Sequence, residues 1–586
     1  MRLAWIERAF LTALCVLVAA LAVFQIVLGP RYRRMAEQNR IRLIPLPAVR
    51  GSILDWHGVP LAEDHLAFNV AVIPQELVGD SERLWPALAA ALERPEAQLR
   101  RAYRRGYTAP FAPVVVARDV DRELAFAIEE RRWESPGVVV LPVPKRTYPL
   151  GVAEGAVIGY LGLVDPQQLK LLKPYGYTMR DWVGKSGLEQ LYDAVLRGVD
   201  GGVQVEVDHR GRMVRQLGLK APVQGKDITV TLDAGLQQHC QQLLVGRRGA
   251  VLVMALDSGA LLAAVSSPGF DPGAFVDPDR DDEVEAYLSD EDRPLFNRAV
   301  AAAVPPGSVF KIVTAYAGLA SRRGSPNTTY VCPGSFRLGR ATLHCWYEGG
   351  HGPQTVVEAL THSCNVFFWQ WGLRAGPEAI AEHAPRFGFG RLSRIDLPGE
   401  VAGFVPDPAW KRERRREPWY RGETANLAIG QGALLVTPVQ VLRMIASAAT
   451  DGRAPQPHLL RTIAGQVVGP PPAPAMELDR AALKVIRRGL EAVVDSATGT
   501  GRLARVETML AAGKTGTAQT GTTATHAWFC GYAPARQPRY ALVVFVERGG
   551  KGGDVAAGIA GRILEALAQL DHGLTGLAVQ GQRVVG

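Results

Sequence analysis

Six cysteines in 586 residues are too few for disulfides to hold a chain of this size together. Aromatic residues make up 7% and charged residues 21%, against 47% hydrophobic residues, so a large buried core is affordable and disorder is excluded as the general state. Internal repeats and low-complexity tracts are missing, which sets solenoids and fibrous arrays aside. Zinc-finger spacing, an RNA-binding signature and a Lys-rich tail are missing too. The net charge of +9 therefore does not argue for nucleic acid and leaves other anionic partners open.

Charge is absent from Ala9 to Gly29, where Gln25 is the main polar interruption. A bilayer needs about 20 apolar residues in a helix, so this run predicts a transmembrane anchor. It continues into Pro30-Arg31-Tyr32-Arg33-Arg34 with no small-residue cleavage site. The expectation is an uncleaved anchor, with a cleaved secretory signal as the alternative. Arg2 and Arg8 precede the run and three arginines follow it, so the flanking count opposes a cytoplasmic N-terminus. Long domains cross largely regardless of that count, and a cytoplasmic N-terminus is retained.

The expected order is a short tail (1–8), the anchor (9–29), an elongated mixed pedestal (30–235), an α+β domain (236–571) and a loose tail (572–586). Strands are expected at Gly249–Ala255 and Ala260–Val265 around an Asp257-Ser258-Gly259 turn, and again at 510–519, 527–532 and 540–547. Helical patterns dominate 308–500, and a last helix lies near 555–570. Strands at both ends of such a region gather into one sheet with helices packed on it. Gly184–Gly198 reads as a turn plus one helix, and Pro470-Pro471-Pro472 as a surface loop.

Three short motifs carry the chemistry. Ser308-Val309-Phe310-Lys311 follows Pro305-Pro306-Gly307, a helix-start signal, and positions i and i+3 share a helix face. A serine hydroxyl needs a base to become a nucleophile, and a lysine can serve once its pKa is lowered. Ser363-Cys364-Asn365 offers a hydroxyl and an amide to one cleft. Lys514-Thr515-Gly516-Thr517 lies in a strand, where glycine lets a substrate backbone come close. Each motif alone is weak. The ordered set Ser-x-x-Lys, Ser-x-Asn, Lys-Thr-Gly is the signature of serine β-lactamases and penicillin-binding proteins. No glutamate can be assigned as a deacylating base, which favours a transpeptidase over a β-lactamase.

The chain resembles the class B penicillin-binding proteins, and among them the elongation branch. Asn39–Leu43, Arg50-Gly51-Ser52-Ile53-Leu54-Asp55 and His57–Ala62 carry the resemblance before the catalytic region, although His57 stands where asparagine is commoner. Asn297-Arg298-Ala299, Gly430-Gln431-Gly432, Thr437-Pro438, Trp528–Pro534 and Pro418-Trp419-Tyr420-Arg421-Gly422 carry it afterwards.

The resemblance implies a bitopic inner-membrane peptidoglycan D,D-transpeptidase with a periplasmic catalytic domain. It would be acylated by β-lactams, act on stem peptides and pair with a polytopic glycan-polymerising partner. Ser308 would be the nucleophile and Lys311 its base. Ser363 would relay protons and Asn365 hold the peptide. Lys514 would add positive potential that helps keep Lys311 neutral. Thr515, Gly516 and Thr517 would bind the terminal carboxylate, and the N–H groups of Ser308 and Thr517 would form the oxyanion hole. The rival functions are a division-type transpeptidase, a D,D-carboxypeptidase, a penicillinase and a β-lactam sensor without turnover.

Cys332, Cys345, His351 and Cys364 match a closed tetrahedral zinc site in composition, though not in finger spacing. The elongation-branch resemblance implies a structural zinc there. His344 and His362 are rival ligands, and a disulfide between two of the cysteines is the alternative. Lys411–Arg416 reads as a solvated basic run or an anion-binding rim, and Trp369 and Trp371 read as core packing.

Overall fold

The computed structural model describes residues 2–31, 41–77, 81–131, 137–179, 181–208, 213–469, 477–521 and 523–571. The expected tail 572–586, the Pro470-Pro471-Pro472 loop and most of the basic stretch after the anchor lie outside the described residues. The chain divides into two compact units.

The first unit comprises Met1–Gly51, Asp64–Arg146 and Arg197–Gly225. Its N-terminal helix α1 (Arg2–Ala22) continues as a π-turn through Val27. Arg8–Val27 is long and apolar enough to cross a membrane, and none of it is buried within the protein. Strand β1 (Ile41–Leu46) pairs antiparallel with β5 (Gly201–Val207), which pairs with β6 (Met213–Lys220). Strand β2 (Pro60–Val72) pairs with β3 (Val114–Val120) and with β4 (Val138–Thr147). The unit has its own small core around Val70, Val72, Trp85, Leu99, Val116 and Val138. Asp64 accepts Arg50 N at 2.8 Å and Arg146 Nη1 at 3.2 Å, so its covered carboxylate is paired.

The second unit comprises Ser52–Glu63, Thr147–Leu196 and Lys226–Gly586. Asp55 ends the motif here. It is buried, and its carboxylate accepts His57 N and Val59 N at 2.8 Å each, closing the His57-Gly58 turn. The expected helix within Gly184–Gly198 is broken into Gly187–Leu191 and Asp193–Leu196.

The unit is built on an antiparallel sheet of five strands in the order β8-β7-β11-β10-β9. These are β7 (Gly249–Ala255), β8 (Leu261–Ser267), β9 (Ala512–Gln519), β10 (Thr525–Ala533) and β11 (Tyr540–Val546). Successive side chains point to opposite faces, and both faces are covered. Val251, Val253, Phe529, Leu542 and Val544 pack with Leu236, Ile563 and Leu567 of the helices Ala234–Leu243 and α6 (Ala556–Asp571). Leu252, Met254, Trp528, Val543 and Phe545 pack into the other core. That core also holds α2 (Lys311–Ala320), the helix Pro438–Ala449 and part of α5 (Arg480–Asp495). This two-sided burial is why the central strands read as continuous apolar runs. Edge strand β9 is the exception, with two glycines, two threonines and a lysine in place of the run.

The region 308–500 is not wholly helical. Tyr330–Cys332 pairs with Gly352–Gln354, and Ser335–Leu338 with Ala341–His344. Trp371 is buried and Trp369 nearly so, as core residues.

Candidate active site

Ser308 sits on a 3₁₀ turn, Gly307–Phe310, that feeds straight into α2. The turn is pressed against β9. Gly307 has φ +57°, and a Cβ there would lie 2.7 Å from the Thr517 carbonyl oxygen, so only glycine fits. Gly307 N donates to Gly430 O at 2.9 Å, and Trp528 Nε1 donates to Pro305 O at 3.2 Å. The same packing requires glycine at 430, where φ is +74° and a Cβ would lie 2.1 Å from Gly307 O. A Cβ on Gly516 would in turn lie 3.0 Å from Pro306 O.

Lys311 is fully buried, whereas Ser308 is only half-buried. Lys311 Nζ donates to Ser363 O at 2.8 Å and Asn365 Oδ1 at 2.6 Å, and stands 3.4 Å from Ser363 Oγ. Lys514 is equally buried. Its Nζ donates to Ser363 Oγ at 2.9 Å and Thr515 O at 3.0 Å. The structure thus brings Lys311, Ser363, Asn365 and Lys514 into one hydrogen-bonded network. Among the described residues no hydrogen bond links Ser308 to Lys311. Catalytic hydrogen bonds are often long without substrate and tighten in the complex.

Every hydrogen-bond partner of these two amines is uncharged, the Phe368 ring lies 5.4 Å from Lys311 Nζ, and among the described residues neither amine has an ion pair. Burial pushes the Lys311 amine from 10.5 down to about 8, against the opposing pull of Cys364 and Cys345. Burial also holds Lys514 well below its ordinary value, with the charge of Lys311 as the second cause.

Ser363 owes its place to a helix end. Helix α3 (Val356–Thr361) closes with Ser363 N donating to Leu360 O and Cys364 N to Ala359 O, the Schellman pattern. The residue between those bonds takes left-handed backbone and is usually glycine; here Ser363 does so with φ +53°. Its carbonyl and hydroxyl thereby both reach the lysines. Cys364 then caps α4 (Asn365–Ala375), its sulfur accepting Phe367 N at 3.4 Å, so Asn365 opens that helix.

On β9, Thr515 is nearly buried and its Oγ1 lies 2.8 Å from Thr500 Oγ1. Thr517 is exposed, and its Oγ1 accepts Gly552 N at 3.1 Å. Neither Thr500 nor Gly552 stood out in the sequence. The first belongs to a Ser/Thr/Gly cluster after α5, and the second to a turn whose only signal was glycine.

Cys332, Cys345, His351 and Cys364 converge, with all four ligand atoms within 4.8 Å of one another. The three cysteines are free thiols. His351 Nδ1 lies 3.5 Å from Cys332 Sγ and 3.7 Å from Cys345 Sγ. A tetrahedral zinc with legs of about 2.3 Å to sulfur and 2.0–2.1 Å to nitrogen sets its sulfur–nitrogen edges at about 3.5 Å, so the donor set fits that ion. Cys345 is lowered first by its hydrogen bond with Cys364, and Cys364 is raised by the same bond. The rival ligands stand elsewhere. His344 is exposed on a hairpin, and His362 has Nδ1 2.8 Å from Gln354 Oε1 and Nε2 3.0 Å from Thr498 Oγ1.

The sequence matches the penicillin binding protein transpeptidase domain over 249–565 and the penicillin-binding protein dimerisation domain over 45–230. It is 33% identical over 568 residues to the peptidoglycan D,D-transpeptidase MrdA of Escherichia coli K12, covering 92% of this chain and 89% of that protein. Among solved structures it is similar to the complex between penicillin-binding protein PBP2 and MreC from Helicobacter pylori. The TM-score is 0.78 at 28% identity, over 91% of this chain and 99% of that one. It is also similar to a structure on the coordination of polymerization and crosslinking by a peptidoglycan synthase complex. There the TM-score is 0.75 at 31% identity, over 98% and 99%.

Proposed function

Because the chain belongs to the penicillin-binding protein transpeptidase family, we propose that its acyl transfer runs through Ser308 with neutral Lys311 as the base. The protein is a peptidoglycan D,D-transpeptidase of cell elongation. What supports this assignment of residues is the carboxylate-free network of Lys311, Ser363, Asn365 and Lys514. It leaves a lysine near pKa 8 one helical turn after a serine at a helix start.

Ser308 Oγ attacks the carbonyl of the penultimate D-Ala while Lys311 Nζ takes its proton. The oxyanion forms against the N–H groups of Ser308 and Thr517; losing one such donor costs about 10²–10³ in rate. The peptide bond breaks, and the terminal D-Ala leaves with a proton relayed through Ser363 Oγ. Asn365 holds the peptide amide, and Thr515 and Thr517 take the terminal carboxylate beside Gly516. An amine of a neighbouring stem peptide then attacks the acyl-enzyme, giving up its proton along the same path and freeing Ser308. A β-lactam acylates the same oxygen.

The Arg8–Val27 helix anchors the protein in the inner membrane, N-terminus cytoplasmic and catalytic unit periplasmic, where it pairs with a membrane-embedded glycan polymerase. The transpeptidation itself requires no cofactor. Cys332, Cys345, His351 and Cys364 would hold a structural zinc, which would fix Cys364 and hence the flanking Ser363 and Asn365. Cys364→Ser is expected to lower the zinc content, the melting temperature and the β-lactam acylation rate together. An unchanged melting temperature and acylation rate would refute that role.

The experiment for the whole assignment is mass spectrometry of the protein treated with penicillin, with an assay for cross-linked dimeric stem peptides. The expected result is one adduct on Ser308, its loss in Ser308→Ala, and dimer formation by the parent. Acylation without dimers would mark a sensor, and an adduct persisting in Ser308→Ala would remove the nucleophile.

A further inference from the structure

We propose that Thr500 is a positioning residue that orients the hydroxyl of Thr515 toward the substrate carboxylate. This rests on the reading of Thr515 as a carboxylate ligand.

A threonine hydroxyl has one proton to donate and lone pairs to accept with. To donate to a carboxylate, Thr515 must direct that proton at the ligand and receive its remaining hydrogen bond from behind. Thr515 is nearly buried, and Thr500 Oγ1 is the hydrogen-bond partner 2.8 Å away that can supply it. Thr517 shows the same arrangement with a backbone donor, since Gly552 N donates to its Oγ1. Each threonine proposed to bind the carboxylate thus has a second partner.

Thr500 is itself firmly held. Ser496–Gly501 folds back over the end of α5, with Ser496 N donating to Ala492 O at 3.0 Å and Gly501 N to Val493 O at 2.8 Å. A Cβ on Gly499 would lie 2.3 Å from Val493 O, so the segment lies flat on the helix end. Thr500 N reaches Thr361 O at 3.4 Å, and Thr498 Oγ1 reaches His362 Nε2 at 3.0 Å. Thr361 and His362 immediately precede Ser363. The segment is therefore a strut joining the loop of Ser363 to the strand of Thr515, with Thr500 at the strand end.

The test compares full-length Thr500→Val, Thr500→Ser, Thr515→Val and the double variant. The probes are a fluorescent penicillin and its carboxylate methyl ester, read as second-order acylation rate constants. Thr500→Val is expected to slow the penicillin about 5- to 10-fold, the scale of one lost hydrogen bond, and to leave the ester rate within about twofold. Thr500→Ser restores the rate, and the double variant is no slower than Thr515→Val, as for two groups acting through one bond. Thr500→Ala replaces the valine variant if that one does not fold. Parent-like acylation by Thr500→Val beside a slow Thr515→Val overturns the role of Thr500 alone. A parent-like Thr515→Val overturns the carboxylate reading beneath it. Equal slowing of penicillin and ester shows a structural role and overturns the proposal.

Discussion

Lysine is buried at three positions among the described residues, in two surroundings that give opposite results. Lys411, in the basic turn, has Glu423 Oε2 at 2.7 Å and Glu417 Oε2 at 3.3 Å. The hydrogen bond that Lys411 donates to Glu423 leads in raising its pKa, and the Tyr420 ring lies 4.7 Å from Nζ. Lys311 and Lys514 meet backbone carbonyls, an amide oxygen, a hydroxyl and, for Lys311, the Phe368 ring 5.4 Å from Nζ, but no carboxylate, and both are lowered. Burial alone does not make a lysine a base. Burial among neutral acceptors does, because they satisfy the N–H donors without supplying the negative charge that would keep the proton in place.

The largest expected effect comes from importing the surroundings of Lys411 into the cleft. Asn365→Asp places a carboxylate where an amide oxygen now stands 2.6 Å from Lys311 Nζ. It should hold the proton on Lys311 and slow penicillin acylation by about 10³-fold, the middle of the range for loss of a general base. A parent-like rate would mean that Lys311 is not the base. Next, Lys514→Met keeps the volume and removes the second amine. Acylation should fall about 10²-fold, while the melting temperature rises because an amine buried without a counter-charge is gone. A lower melting temperature would show Lys514 to be a net structural asset.

Intermediate in size is the pH dependence. Acylation should climb about tenfold per pH unit up to about pH 8 and then level off, as neutral Lys311 becomes the main form. The sign for stability follows from the same shift. The unfolded chain keeps this proton to 10.5, while the folded protein releases it near 8. Between those values the unfolded state binds more protons, so this group makes stability rise with pH. A flat rate profile from pH 6 to 9 would contradict it. The smallest effect belongs to Glu423→Gln, which should lower the melting temperature slightly and leave acylation within about twofold of the parent. A tenfold change in acylation would join the two surroundings into one site.

The sequence made the ordered motifs legible because each depends on local spacing. Ser308 and Lys311 needed only a helix start, and β7, β10 and β11 only an apolar run. Ser363 was legible as a motif member but not as a left-handed residue, since serine gives no sign of the backbone angle that glycine would have announced. The paired shifts of Lys311 and Lys514 needed burial, which tertiary packing alone supplies. Thr500 and Gly552 were hidden because their partners are distant in sequence, and Ser/Thr/Gly clusters signal only a turn. His362 could be set aside as a zinc ligand only once both its ring nitrogens were seen to have other partners.

The close approach of Gly307 to the Thr517 carbonyl, with Gly516 against Pro306, also bears on drug escape. The turn that carries Ser308 and strand β9 are two walls that meet main chain to main chain there. Larger residues at 307 or 516 would force the two walls apart and spoil the alignment that cell-wall synthesis itself requires. Substitutions that evade a β-lactam are therefore expected at positions other than 307 and 516.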